Sequence, residues 1–312
     1  MNEHHFLSIV DSNRGEIKQI LKLAQVLKRE LKSKGRNKPL LQNKTLVMIF
    51  EKPSLRTRLS FEVGMTQLGG HAVYLSPSDI GLGQRESVSD IARVVSRMGD
   101  IIMARVFKHG TLAQLAEHST VPVINALSDH EHPCQALADA LTIIERKGSL
   151  KGKHIAFIGD AENNVAHSLA LICALHGAHF RVAAPQGYEM KKDIATQARA
   201  IAAKTGGTLM ETSDPVAAAT GADVIYTDTW VSMGDEPEKL KRCKVFEGYR
   251  VTEVLMSLAK RDAIFMHDLP AYRGNEVEAA VIDGPQSAVF EQAENRLHAQ
   301  KALILWLLQK KV

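Results

Sequence analysis

Two arginines, a serine and a threonine stand together in EKPSLRTR (51–58), directly after the apolar run TLVMIF (45–50). Ser54, Arg56, Thr57 and Arg58 fall at the start of a segment that continues at helical spacing through Phe61, Met65 and Leu68. Hydroxyls, guanidinium groups and free backbone N–H groups at a helix N-terminus are the donors that bind a phosphate dianion. A plain Ser54 N-cap with solvent-exposed arginines accounts for these residues equally well when they are taken alone. Arg105 ends another apolar run, DIIMAR (100–105), where its cation could reach the same anion. A lone Arg at such a place is more often a surface residue.

In SDHEHPCQ (128–135), His132 and Gln135 open a helix, with Pro133 at a favoured first-turn position and Cys134 between them. His132 can donate to a carbonyl oxygen and Gln135 can bond an amide-like NH₂, which suits a carbamoyl group. A capping His beside a small buried Cys is the plainer reading. A metal on His130, His132 and Cys134 is disfavoured, because alternate residues in a turn match no recognised zinc spacing. FIGDAENNVAHS (157–168) resembles a nucleotide-binding turn, yet only Gly159 stands where the dinucleotide fingerprint wants three glycines, so no nicotinamide cofactor is expected. Asn163 and Asn164 offer amide donors suited to a carboxylate, or simply a helix cap. In TDTWVSMG (227–234), Asp228 can take an ammonium group and N–H groups near Met233 a carboxylate, with Ser232 and Gly234 alongside. A loop around a buried Trp230 is the purely structural account.

These segments need rigid elements behind them, and the chain supplies an alternating pattern. A helix over 16–34 carries Ile17, Ile20, Leu21, Ala24, Leu27 and Leu31 at helical spacing. Strands are predicted at 45–50, 71–76, 100–105 and 121–125, and then at 154–159, 179–185, 222–228 and 262–268, with helix-length segments between them. That order predicts an α/β fold of two similar domains, each with a central parallel sheet flanked by helices. The polar stretch KGSLKGK (147–153) after a helix over 136–146 makes the joint, giving domains over 1–146 and 147–292. The last apolar helix, 296–308 within a closing segment 293–312, is expected to pack back on the first.

With 45% hydrophobic and 24% charged residues in 312, the chain can bury two cores. Its 39 Lys and Arg against 35 Asp and Glu are spread without like-charge runs, which argues against nucleic acid as a partner. No apolar stretch approaches the roughly 18 residues of a spanning helix, and the start MNEHHFLSIV lacks a signal-peptide pattern, so a cytoplasmic location is expected. Cys134, Cys173 and Cys243 lie far apart and in no CxxC pairing, as reduced thiols would.

In this order and spacing the segments resemble the transcarbamoylase family and, within it, the ornithine carbamoyltransferases, over almost the whole chain. SLRTR (54–58) is similar to the family's carbamoyl-phosphate loop and HPCQ (132–135) to its second signature. Asp228 with Ser232-Met233-Gly234 resembles the ornithine segment, FMHDLPAYRG (265–274) stands where the family has His-Cys-Leu-Pro, and ENRLHAQKA (294–302) resembles the closing helix. The resemblance implies that Ser54, Leu55, Arg56, Thr57 and Arg296 hold carbamoyl phosphate, and that Arg105 and His132 polarise the carbamoyl oxygen. It gives the carbamoyl NH₂ to Gln135 and the Leu269 carbonyl, and ornithine to Asn164, Asp228, Ser232 and Met233. Neither metal nor organic cofactor is implied. The family's catalytic unit is a trimer with shared sites, the product is citrulline, and arginine biosynthesis is the expected setting.

Three departures from the family pattern stand out. Leu55 replaces the usual Thr, where a backbone N–H serves whatever the side chain. In IGLGQRES (80–87), Gly81 aligns with a Gln that reaches carbamoyl phosphate across the subunit boundary, leaving Gln84 or Arg85 as substitutes. Asp268 stands where the family's Cys meets the reacting amine, and joins Arg105 and His132 as a candidate catalytic group. The rival readings are a transcarbamoylase for a related amine (putrescine or an acylated ornithine), a nicotinamide dehydrogenase, and a non-catalytic paralogue that binds carbamoyl phosphate.

Overall fold

The computed structural model describes residues 5–83, 85–231 and 236–309. The chain forms two compact units, one of residues 1–141 with 294–312 and one of residues 142–293. Each is built on one parallel sheet, and parallel neighbours require crossover connections, here mostly helical.

The first unit's sheet contains β1 (Thr45–Phe50), β2 (His71–Leu75), β3 (Ile101–Arg105) and β4 (Val123–Leu127) in the order β2-β1-β3-β4. Every residue of β3 and β4 is buried, as continuous apolar runs covered on both faces demand. Val47, Ile49, Ile102 and Ala104 pack with Ile91, Leu112 and Leu115 into one core. Burying each of the larger aliphatic side chains contributes about 1.5–3 kcal/mol. β4 begins two residues later than its sequence pattern predicts, because Pro122 has no N–H to give and contributes only its carbonyl, to Ile102. Phe6 extends the ladder beyond β4, its N–H on the Val123 carbonyl and its carbonyl on the Asn125 N–H.

The second unit's sheet contains β5 (His154–Ile158), β6 (His179–Ala183), β7 (Thr208–Thr212), β8 (Val224–Tyr226) and β9 (Ile264–Met266) in the order β7-β6-β5-β8-β9. Its core joins Ala156, Ile158, Ile225 and Phe265 to Ala218, Val251, Leu255 and Val281. β7 has no counterpart among the predicted strands, because TLMET is a half-exposed edge run without a block of apolar residues. The helix Pro133–Lys147 has Pro133 in its first turn, as the reading of residues 128–135 predicts, and so runs ahead of the segment 136–146, while the helix Val289–Leu307 starts ahead of its predicted position.

Open parallel sheets bind ligands beyond the carboxyl ends of strands where the winding direction reverses. In the first sheet the reversal lies between β1 and β3, so residues 51–58 and Arg105 sit at that place. In the second it lies between β5 and β8, which selects residues 159–164 and 227–228. Gly159 has φ 138°, and a Cβ there would stand 3.4 Å from Thr227 Oγ1 and 3.9 Å from the Trp230 ring. The positive φ is what favours glycine here, since a Cβ would make only ordinary contacts.

Candidate active site

The helix Leu55–Gln67 starts directly after the β1 turn, with Ser54 as N-cap. Ser54 Oγ accepts from the Thr57 N–H at 3.4 Å and donates to Thr57 Oγ1 at 3.1 Å. The first turn contains no acidic residue. Carboxylates are favoured there because they meet the positive end of the dipole, and a helix start that carries arginines in their stead is a place where an anion can be held. Arg58 is not part of it. Its Nε donates to Glu62 at 3.0 Å and its guanidinium lies 4.1 Å from the Tyr74 ring centre. Arg56 is half-buried, whereas Arg105 and Arg296 are buried.

Arg296 ties these residues of the first unit together, donating to Gln135 Oε1 at 2.6 Å and to Thr57 Oγ1 at 3.3 Å. Gln135 in turn donates to Asp139 Oδ1 at 2.8 Å, so its amide is oriented with the oxygen toward Arg296. That carbonyl keeps a second lone pair for a ligand NH₂. The HEHP turn is fixed from behind. Glu131 accepts from Ser8 Oγ and from the Ile9 N–H, and Asn125 Nδ2 donates to the Leu7 carbonyl at 2.8 Å. The His132 imidazole is held well below its ordinary pKa, first by burial and then by the cations of Arg296, Arg105, Lys52 and Arg56. It is therefore neutral at physiological pH and acts as a hydrogen-bond donor instead of an acid. Cys134 donates to the Asn125 carbonyl at 3.3 Å, and burial pushes its thiol up to about 12. A thiol held so far from ionisation is neither nucleophile nor metal ligand.

In the second unit the turn after β8 places Asp228, buried, against the turn after β5. Asn163 Nδ2 donates to Asp228 Oδ2 at 3.0 Å, the Thr229 N–H donates to Oδ1 at 2.6 Å, and Thr227 Oγ1 donates to the Ile158 carbonyl at 2.6 Å. Asn163 also caps the helix Asn164–His176, which begins with the predicted Asn164. Asp268 follows β9. Burial first, and then the adjacent Asp268 carboxylate, raise the Asp228 carboxyl well above the usual carboxylate range. Two close carboxylates in a low-dielectric place hold one proton between them or a cation.

Asp228, His267 and Asp268 bring one ligand atom each to within 4.8 Å of one another, the one such set among the described residues. Two demands compete at His267 Nδ1. The neighbouring Asp268 and Glu276 raise the imidazole's pKa against the cost of burial. The Leu269 N–H, however, points at Nδ1 from 2.9 Å and needs a lone pair there. The backbone N–H occupies the Nδ1 lone pair, which leaves the ring proton on Nε2 toward Glu276 Oε1 at 3.4 Å. With that lone pair in use and both Asp228 oxygens accepting bonds, the group suits an ammonium or a proton better than a metal ion. Leu269 itself has φ 60°, unusual for a branched side chain and set by this turn.

Ser54, Thr57, Arg105, His132, Gln135 and Arg296 thus gather in the first unit with Leu55 and Arg56, and Asn164, Asp228 and Asp268 belong to the second. Gln84, Ser232 and Met233 lie outside the described residues, and Arg85 is exposed. Lys52, Asp139 and Glu276 escaped the reading of the sequence. Lys52 sits within the EKPSLRTR segment, where a third basic residue was the available signal; Asp139 and Glu276 had none.

Models of two domain families match the chain: the carbamoyl-P binding domain of aspartate/ornithine carbamoyltransferase over residues 4–145, and its Asp/Orn binding domain over residues 151–307. The ornithine carbamoyltransferase of Halalkalibacterium halodurans is 53% identical over 302 residues, covering 97% of this chain and 94% of its own. That of Methanosarcina acetivorans is 51% identical over 97% of this chain and 98% of its own. Among solved structures, the ornithine carbamoyltransferase from Pyrococcus furiosus superposes with a TM-score of 0.94 at 50% identity, over 97% of this chain and 96% of that one. By both domains and by near-complete relatives, the chain belongs to the aspartate/ornithine carbamoyltransferase family.

Proposed function

We propose that the protein transfers the carbamoyl group of carbamoyl phosphate to the δ-amine of L-ornithine, giving L-citrulline and phosphate. The observation that carries this reading is the set of four cations, from Lys52, Arg56, Arg105 and Arg296, around a neutral His132 at an acid-free helix start. Such a site holds a phosphate dianion and, beside it, stabilises negative charge that grows on a carbonyl oxygen. The neutral δ-amine attacks the carbamoyl carbon, the new C–N bond forms, and the C–O bond to phosphate breaks. The amine's surplus proton leaves with the phosphate or to solvent. Arg105 and His132 meet the developing oxyanion with fixed donors, an effect of about 10²–10³-fold for each donor in comparable sites. The chemistry asks for orientation and charge stabilisation only, which is why no metal or organic cofactor enters the scheme.

Asp228 discriminates against an acylated α-nitrogen. A buried carboxylate of this kind is matched by ornithine's α-ammonium, which acetylornithine lacks, whereas putrescine keeps a terminal ammonium and lacks only the α-carboxylate. Offering ornithine, putrescine, acetylornithine and aspartate separately with carbamoyl phosphate is expected to give product from ornithine at a rate at least about 10²-fold above the others. Preferential turnover of putrescine or acetylornithine overturns the ornithine reading. Product from none of them, with carbamoyl phosphate still bound, identifies a binding paralogue.

We further infer a homotrimer that works in the cytoplasm and in arginine biosynthesis. Among the described residues no helix is long and apolar enough to cross a membrane. The helix Leu55–Gln67 buries Phe61 and Met65 but leaves Leu55, Leu59 and Val63 exposed at 70%, 52% and 37%, an apolar line at four-residue spacing. Such a line next to the phosphate loop suits a contact with a second copy of the chain. Leu59→Glu is expected to shift the protein from trimer to monomer in sedimentation and to lower activity by at least about tenfold. A parent that sediments as a fully active monomer overturns the assembly.

A further inference from the structure

We infer that Arg242 is a positioning residue for the Asp228 and Asn163 turns of the second unit, clamping the β5 and β8 turns together from a third element. It rests on the reading of those turns as the ornithine site. Arg242 lies on the helix Lys239–Val245 and is buried. Its Nε donates to the Trp230 carbonyl at 2.5 Å, two residues beyond Asp228, and its Nη2 is ion-paired with the buried Asp160, two residues beyond β5 and three before Asn163. One planar guanidinium thereby holds both strand ends that carry Asp228 and Asn163.

The clamp is itself held in plane. The guanidinium carbon lies 4.9 Å from the Tyr188 ring centre and 5.5 Å from that of Phe246, and Trp230 stacks on Phe246 with centroids 6.0 Å apart. Aromatic faces favour a guanidinium between them and fix the direction of its fork. Among the described residues the Thr227–Ile158 and Asn163–Asp228 bonds also tie the turns, both through short side chains on the turns themselves. Neither sets the spacing from outside. An ammonium cannot replace the fork, because Lys offers a point charge without a second donor direction held at a fixed angle.

Arg242→Lys keeps the cation that Asp160 needs and so keeps the fold, while losing the simultaneous grip on Trp230. At about pH 8, above the value of about 6 to which burial pushes Asp160 against Arg242's pull, the parent's ion pair is intact. The expected result is a KM for ornithine raised about tenfold or more, with KM for carbamoyl phosphate unchanged and kcat within about threefold. Arg242→Gln combined with Asp160→Asn, which leaves no buried lone charge, is expected to show the same split, with a cooperative thermal transition confirming that it is folded. A folded Arg242→Lys whose two KM values are unchanged, or rise together, overturns the inference. A parent that turns over no ornithine overturns instead the reading on which it rests.

Discussion

Arg56→Ala is expected to reduce carbamoyl transfer by about 10³-fold, to the edge of detection, while unfolding at nearly the temperature of the parent. Arg56 is half-buried at the start of the helix Leu55–Gln67, whose first turn holds no acidic residue. Removing it takes away a charge-assisted donor where a dianion must bind and, later, leave. The fold loses little, since a partly exposed side chain outside the core changes stability by about 0.5 kcal/mol or less. Arg58 supplies the control two residues away. It is engaged by Glu62 and Tyr74, and Arg58→Ala is expected to retain most activity. Steady-state kinetics with differential scanning calorimetry on both variants decides the matter. Full activity in Arg56→Ala, or equal losses in the two, would sink the assignment of the phosphate loop.

How much of this was readable beforehand depended on what each residue faces. TLVMIF was legible to the residue, because five of its six side chains are buried and the polar Lys44 and Glu51 bracket it. Thr208–Thr212 was not, since an edge strand with half-exposed Glu211 and Thr212 has no periodic signature to distinguish it from a loop. The helix start that carries Ser54, Arg56 and Thr57 was legible because these residues are contiguous in sequence. Arg296 could be placed with them only through family resemblance, for no local pattern says that a helix residue 239 positions later bonds Thr57. Glu276 marks the limit. In RGNEVEAA it has the look of a solvent-facing charge, yet it is buried, 3.4 Å from His267 Nε2, and accepts the Tyr272 N–H at 2.5 Å.

Asp268→Cys is expected to stay active and to move the acidic limb of the pH profile down by roughly one unit or more. The proposal is that Asp268 stands beside the reacting amine, and the sign follows from the carboxylate it adjoins. Asp228 is held well above the usual carboxylate range by burial and then by Asp268. In the free protein, falling pH therefore protonates this carboxyl early, and the ammonium group of ornithine loses its counter-charge. The kcat/KM for ornithine drops through that raised value. A neutral thiol at 268 removes the repulsion, which between unit charges about 4 Å apart is about 4 kcal/mol at an effective dielectric near 20. Burial remains, so Asp228 titrates lower without returning to the range of an exposed carboxyl. In the complex the Asp268 carboxylate favours the δ-ammonium over the neutral amine that must attack, so without it the limb of kcat should move down as well. Asp268 as general base predicts something else: Asp268→Cys and Asp268→Asn would both lose rate across the whole pH range. We favour the electrostatic outcome, because departing phosphate is a sufficient proton acceptor and the family resemblance places a Cys at this position. Limbs unmoved in both profiles, at unchanged rate, would mean that Asp268 neither loads Asp228 nor approaches the amine, and the HDLP turn would have to be removed from the site.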